Sequence, residues 1–257
     1  MQAEWGKWVS ESMPYDLGLL FNQAPTVKAP KAIPRQKGCA PMAEELGKIE
    51  KPEAKSVSGK KKLLVVTLIY YGESAPKEYL EMFNKYWEQV GQHIANLESQ
   101  IGQLKHIYHE SISVASKEAL DIIEKLNPAC HKIVKQKYDG GASIEATEDK
   151  DLVEEGMDWE RCLVMGFISQ KVAKTVSEFY MDVAKKRYEK IAKTIDKTLK
   201  KKEVGAIFIR EGHMVQFAKD IEVFSVSPPA LDEIHRWQRD YMAKPKEDEV
   251  EEKNATE

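Results

Sequence analysis

The chain has 257 residues, is 42% hydrophobic and 32% charged, and carries a net charge of −3. That hydrophobic share is enough for a real core, and a near-neutral balance excludes any global drive towards nucleic acid. The three cysteines, Cys39, Cys130 and Cys162, are far apart with no CxxC spacing, which excludes a disulfide framework or a Cys-based zinc site and points to reduced cytoplasmic thiols.

Residues 1–60 read as an extended arm and linker. Trp5, Trp8, Tyr15, Leu19 and Phe21 crowd its start, followed by Pro25, Pro30, Pro34 and Pro41. Disordered tails generally lack such aromatics, so the expectation is an arm whose apolar tip docks on a neighbouring subunit or another protein. No basic stretch followed by an apolar run precedes it, so a signal peptide is not expected.

Residues 61–243 read as an α/β domain. The first strand spans residues 63–71, an apolar run too short to cross a bilayer as a helix. It ends in Gly72-Glu73-Ser74, and Pro76 suits the first turn of a helix. That helix carries Phe83, Trp87, Val90, Ile94, Leu97, Ile101 and Leu104 at coiled-coil-like spacing. A short strand over 104–109 ends in His109-Glu110-Ser111. Helices follow over 116–126 and 128–138, then an edge strand or loop over 143–147, then an acidic helix within 149–166.

From Ser169, a plausible N-cap, a stripe at steps of three and four runs through Val172, Val176, Phe179, Tyr180, Val183, Tyr188, Ile191, Ile195 and Leu199. A helix of about thirty residues is roughly 45 Å long. It needs an equally long partner, and the helix after the first strand is the natural one, as an internal antiparallel pair or a dimer seam. Residues 204–209 form an apolar run suited to a strand buried on both faces, ended by Arg210-Glu211-Gly212-His213. A strand over 221–226 and a helix over 230–242 complete the domain, and residues 244–257 read as a disordered charged tail.

The predicted fold is therefore α/β, a mostly parallel sheet with two long amphipathic helices and an extended N-terminal arm. In a parallel sheet the strand ends converge on one edge, where ligands bind in open α/β folds. That edge would collect Glu73, Ser74, His109, Glu110, Ser111, Arg210, Glu211 and His213. Two histidines with two or three carboxylates suit a divalent metal or acid–base chemistry. The same residues would also serve as helix caps and solvated loop groups. His106 and His109 should point to opposite faces if they lie on a strand. His93, His131 and His235 read as surface bystanders. The chain has no phosphate-loop glycine pattern and no G-x-S-x-G elbow.

Gly72-Glu73 after the first strand, Arg187-Tyr188-Glu189-Lys190-Ile191-Ala192, Leu199, the strand at 205–209 and Gly212-His213 together resemble the TraB/Tiki/erythromycin-esterase/ChaN superfamily. The resemblance covers two short blocks. It implies a metal-dependent hydrolase or a haem-binding protein, with Glu73, Arg187 and His213 at its site. The chain has Ser74-Ala75-Pro76 where those proteins often carry a histidine. With no motif that defines a reaction, the leading expectation is a protein acting mainly through association, as a homo-oligomer or in a protein complex. The alternative is the hydrolase or haem-binding reading, with candidate residues Glu73, His109, Glu110, Arg187, Glu211 and His213.

Overall fold

The computed structural model describes residues 59–72 and 74–243. The expectations for the arm, including Trp5, Trp8, Tyr15, Leu19 and Phe21, for Glu73 and for the charged tail lie outside the described residues.

Five strands, β1 (Lys61–Leu68), β2 (Leu104–His109), β3 (Ser143–Ile144), β4 (Val204–Arg210) and β5 (Ile221–Val226), form one sheet in the order β3-β2-β4-β1-β5. Every pairing is parallel. The helices are α1 (Lys77–Ile101), α2 (Ser116–Leu126), α3 (Pro128–Asp139), α4 (Lys150–Met165), α5 (Gln170–Thr198) and α6 (Pro229–Ala243). The 143–147 segment contributes only a two-residue edge strand. No helix among the described residues is long and apolar enough to cross a membrane.

Alternation along each strand sorts side chains onto two faces. Leu64, Val66, Ala206 and Phe208 face α1, α2, α3 and α6, meeting Phe83, Trp87, Ile94, Ile123, Val134 and Ile234 in the larger core. Leu63, Tyr108, Ile207 and Ile209 face the other way. They meet Ile191, Ile195 and Leu199 of α5 and Val215 of the β4–β5 connection. β4 is buried on both faces, as its apolar run predicts, because it lies between β2 and β1 with helical cover on either side.

The expected pairing of the two long helices is corrected here: α1 and α5 belong to opposite faces of the sheet. The reason is directional. The chain steps across the sheet one way from β1 to β2 and the other way from β3 to β4. Crossovers of one hand must then cover opposite faces. The α1 stripe is satisfied by the sheet, and α5 instead packs against α4.

Ser169 caps α5 as expected, accepting from the Val172 amide. At 29 residues α5 is about 43 Å long, whereas seven residues of β4 span about 23 Å. Only its C-terminal half packs on the sheet. From Arg161 to Phe179 no residue is buried, so the outer parts of α4 and α5 stand off the domain as a hairpin beyond the carboxyl edge.

Candidate functional site

Four segments meet where β2 and β4 end, and their charged side chains form one network. Glu110, the residue after β2, accepts from the Arg210 amide at 2.7 Å and from the Arg210 Nε. Glu148, in the loop before α4, accepts from Arg187 Nε at 2.6 Å and Nη2 at 2.9 Å, a two-pronged contact. The Ser111 amide donates to the same carboxylate at 2.6 Å, from a turn in which Ser111 has φ of 67°. Glu160 of α4 accepts from Arg210 Nη1 at 2.6 Å and from the Tyr180 hydroxyl at 3.1 Å. Arg187 Nη2 lies 3.9 Å from Glu110, which joins the two halves.

Three carboxylates and two guanidinium groups therefore share a largely buried volume. Burial pushes the Glu110 carboxyl upward, but Arg210 and Arg187 beside it override this and hold it below its ordinary value. Burial also disfavours charge on Arg187, and the Glu148 contact more than restores it. Both oxygens of Glu110 and of Glu148 are occupied by donors, so neither is a free base. Chemically, this arrangement fastens the α4–α5 hairpin to the end of the sheet.

The local sequence supports that fastening. Arg187 falls on the buried stripe of α5 between Val183 and Ile191, and α4 presents Val153, Gly156 and Glu160 on its buried face. A β-carbon on Gly156 would lie 3.2 Å from Arg187 Nη1 and 3.5 Å from Val183 Cγ1. Glycine there lets the guanidinium lie flat against the helix. Gly156→Leu should lower the unfolding free energy by about 1–3 kcal/mol through overpacking, measured by urea denaturation.

The six predicted site residues separate into groups. Glu110 and Arg187 come together. His109 is buried with its Nδ1 2.5 Å from the Glu110 carbonyl oxygen, and its ring stacks on Phe208 on the α1 face. Burial lowers its pKa to about 4. His213 follows Gly212, whose φ of 74° turns the chain. Its ring packs on Phe217 on the α5 face, and burial lowers its pKa against the opposing pull of Glu110. The two histidines thus belong to opposite faces. Glu211 is corrected away from the cluster: its side chain is 63% exposed and pairs with His235 Nε2 at 2.9 Å. His235 lies on α6, as expected, and is the partner of Glu211 there. As expected, His106 points opposite to His109: its ring stacks on Tyr108 of the α5-side core and bridges Glu145 and Glu203.

Among the described residues no group of three His, Cys, Asp or Glu side chains is arranged to hold a metal ion. The separation of the histidines and the engagement of Glu110 by guanidinium groups account for that. A shallow depression lined by Asp232, His235, Arg236 and Arg239 lies on α6, apart from the network. Glu148 and Glu160 were not anticipated. Glu160 had a legible signal, since it sits at helical spacing from Val153 and Gly156, whereas Glu148 lies in an acidic loop with nothing to distinguish it. Comparison with protein-family models, with curated proteins and with solved structures gives no match to this chain.

Proposed function

We propose that this protein works by protein–protein association, as a subunit or accessory protein of an assembly, with the α4–α5 hairpin as its docking element and the sheet as its base. The observation that carries this reading is the apolar end of the hairpin. Ile168 is fully exposed, Met165 is 85% exposed, and Val164 and Val172 are exposed beside them. Single exposed apolar residues need no explanation, but a contiguous group on a projecting element marks an interaction surface. The buried ion network supports the same reading, because it holds a long lever at a set angle to the sheet. The N-terminal segment with Trp5, Trp8, Tyr15, Leu19 and Phe21 is proposed as a second docking element on a neighbour.

Native mass spectrometry of the full chain, wild type against Met165→Asp/Ile168→Asp, tests this. An oligomer or hetero-complex present in the first and lost in the second is the expected result. Far-ultraviolet circular dichroism should match in both, because neither side chain is buried. Free monomer in both proteins would sink the proposal.

A second reading has one observation in its favour. His109 Nε2 and His213 Nδ1 are buried without a hydrogen-bond partner at the carboxyl edge. In that reading the chain resembles a TraB/Tiki-like metal-dependent hydrolase or haem-binding protein, with His213 and Glu73 as binding residues. Stoichiometric metal or haem in the same spectra, lost in His213→Ala, would favour it over association.

A further inference from the structure

Association through the hairpin leaves open what it meets, and charge and shape along the hairpin narrow the choice. Residues 149–160 carry six acidic residues, Asp149, Asp151, Glu154, Glu155, Asp158 and Glu160, against one lysine. Residues 161–177, which form the outer part, carry Arg161, Lys171 and Lys174 and no acid. The α4 side of the base is therefore acidic and the tip basic, while the α5 side of the base is mixed, carrying Glu178, Asp182 and Glu189 with Lys185, Lys186 and Lys190. Asp151, Glu154, Glu155 and Asp158 are all exposed, as are Arg161, Lys171 and Lys174. The pairs that these residues make within the hairpin, such as Arg161 with Asp158, Lys150 with Glu154 and Lys174 with Glu178, are exposed and close in sequence. Such pairs contribute little and exchange readily.

A surface with opposite charge at its two ends is self-complementary when a second copy lies antiparallel, the tip of each over the base of the other. The apolar groups follow the same polarity. Met165 and Ile168 project at the tip. Nearer the base, Phe179 stacks on Trp159 at 5.2 Å and 20°. Tip aliphatic side chains of one copy can rest on the aromatic shelf of the other, and the reverse contact follows by symmetry. This is the self-matching that a two-fold interface requires.

The area would come from apolar and charged side chains together. Val164, Met165, Ile168, Val172 and Phe179 are the exposed large apolar residues available to this face of the hairpin. Side chains of this kind bury roughly 60–120 Å² each, from their transfer free energy per unit area. Val164, Val172 and Phe179 are only about half exposed, so two copies would then bury about 400–800 Å² of apolar surface. The flanking charged stems would supply the remainder of the roughly 1,000 Å² that a specific interface needs.

We propose that the exposed face of the α4–α5 hairpin docks the same face of a second copy of this chain, antiparallel about a two-fold axis, with the basic tip of each over the acidic base of the other. The proposal rests on the association reading and names its partner.

The test is sedimentation equilibrium of the full-length chain at low and high salt, for four proteins. The wild type should be a dimer whose dissociation constant rises with salt, because the Debye length falls from about 10 Å at 0.1 M to about 3 Å at 1 M. Ile168→Asp should raise that constant at least about tenfold. Lys171→Glu/Lys174→Glu should weaken the dimer similarly. Adding Glu154→Lys and Asp158→Lys to the same chain should restore it, since the charges are then exchanged between the two ends. Matching thermal melts of the four proteins keep folding out of the comparison. A monomeric wild type, a dimer indifferent to Ile168→Asp, or a charge exchange that fails to rescue would each overturn the proposal. A monomeric wild type leaves the association reading standing if native mass spectrometry still shows a complex with another protein that Met165→Asp/Ile168→Asp abolishes, whereas a dimer indifferent to Ile168→Asp removes the hairpin from both readings. Loss of every complex would remove both.

Discussion

Replacing Arg187 with alanine should lower the unfolding free energy by about 3–5 kcal/mol, the usual cost of leaving a buried charge without its partner. The Arg187 side chain is 7% exposed, and the Glu148 carboxylate that it holds is fully buried. After the substitution Glu148 would keep only the Ser111 amide among its present donors, and Glu110 would keep only Arg210. For a domain of this size each kcal/mol moves the melting temperature by about 2–4 °C, so a fall on the order of 10 °C is expected. Pairing Arg187→Met with Glu148→Gln should recover much of the loss. The charge that needed compensation is then gone, and the amide oxygen can still accept from Ser111. A double-mutant cycle by urea denaturation measures the coupling. A loss below about 1 kcal/mol for Arg187→Ala would mean that the network does not hold the hairpin. Amide exchange gives a spatial check, since α4 and the first half of α5 should lose protection before the sheet does.

Stability should also fall as the pH drops from about 6.5 towards 4. Burial holds the folded-state pKa of His109 at about 4, below its ordinary value of 6.5. Above pH 6.5 the imidazole is neutral in both folded and unfolded chains, and its full contribution is present. Between 6.5 and 4 the unfolded chain takes up a proton that the folded protein excludes, so stability is lost as the pH falls. The total is about 3 kcal/mol for a shift of this size. His213 is lowered in the same direction and adds to the slope. Glu110 acts in a lower window: its carboxyl is held below the ordinary value of 4.5, so its contribution is lost only as the pH falls below that. The slope between pH 6.5 and 4.5 therefore reports the histidines. His109→Gln should flatten most of it, and His213→Gln should flatten less. An unchanged slope in His109→Gln would show that its imidazole is not the group titrating.

Much of the architecture was legible because local features determine it. The apolar run at 204–209 is a strand covered on both faces, and Ser169 caps α5, because backbone preference and burial of a continuous run act over a few residues. The opposite directions of His106 and His109 follow from strand alternation alone. The partner of the long helix was not legible. The stripe on α1 fits a helical seam and a sheet face equally well, and only the order of the strands decided between them.

The candidate site shows the same division. The sequence alone determined that acidic and basic groups would follow the strands at one edge, since a parallel sheet brings those ends together. Arg187 was singled out only by the family resemblance, and its place on the buried face of α5 came from the structure. The sequence did not determine which charges would be withdrawn from water. Glu211 adjoins Arg210 in the chain yet reaches out to His235. Glu110 meets Arg210 from 100 residues away, and Glu148 meets Arg187 from 39. Desolvation depends on the neighbours that surround a group, and those neighbours arrive from separate elements. The tertiary structure therefore decided that the sheet edge holds a satisfied ionic fastening, and that Met165, Ile168 and Val172 are left uncovered at the end of a hairpin.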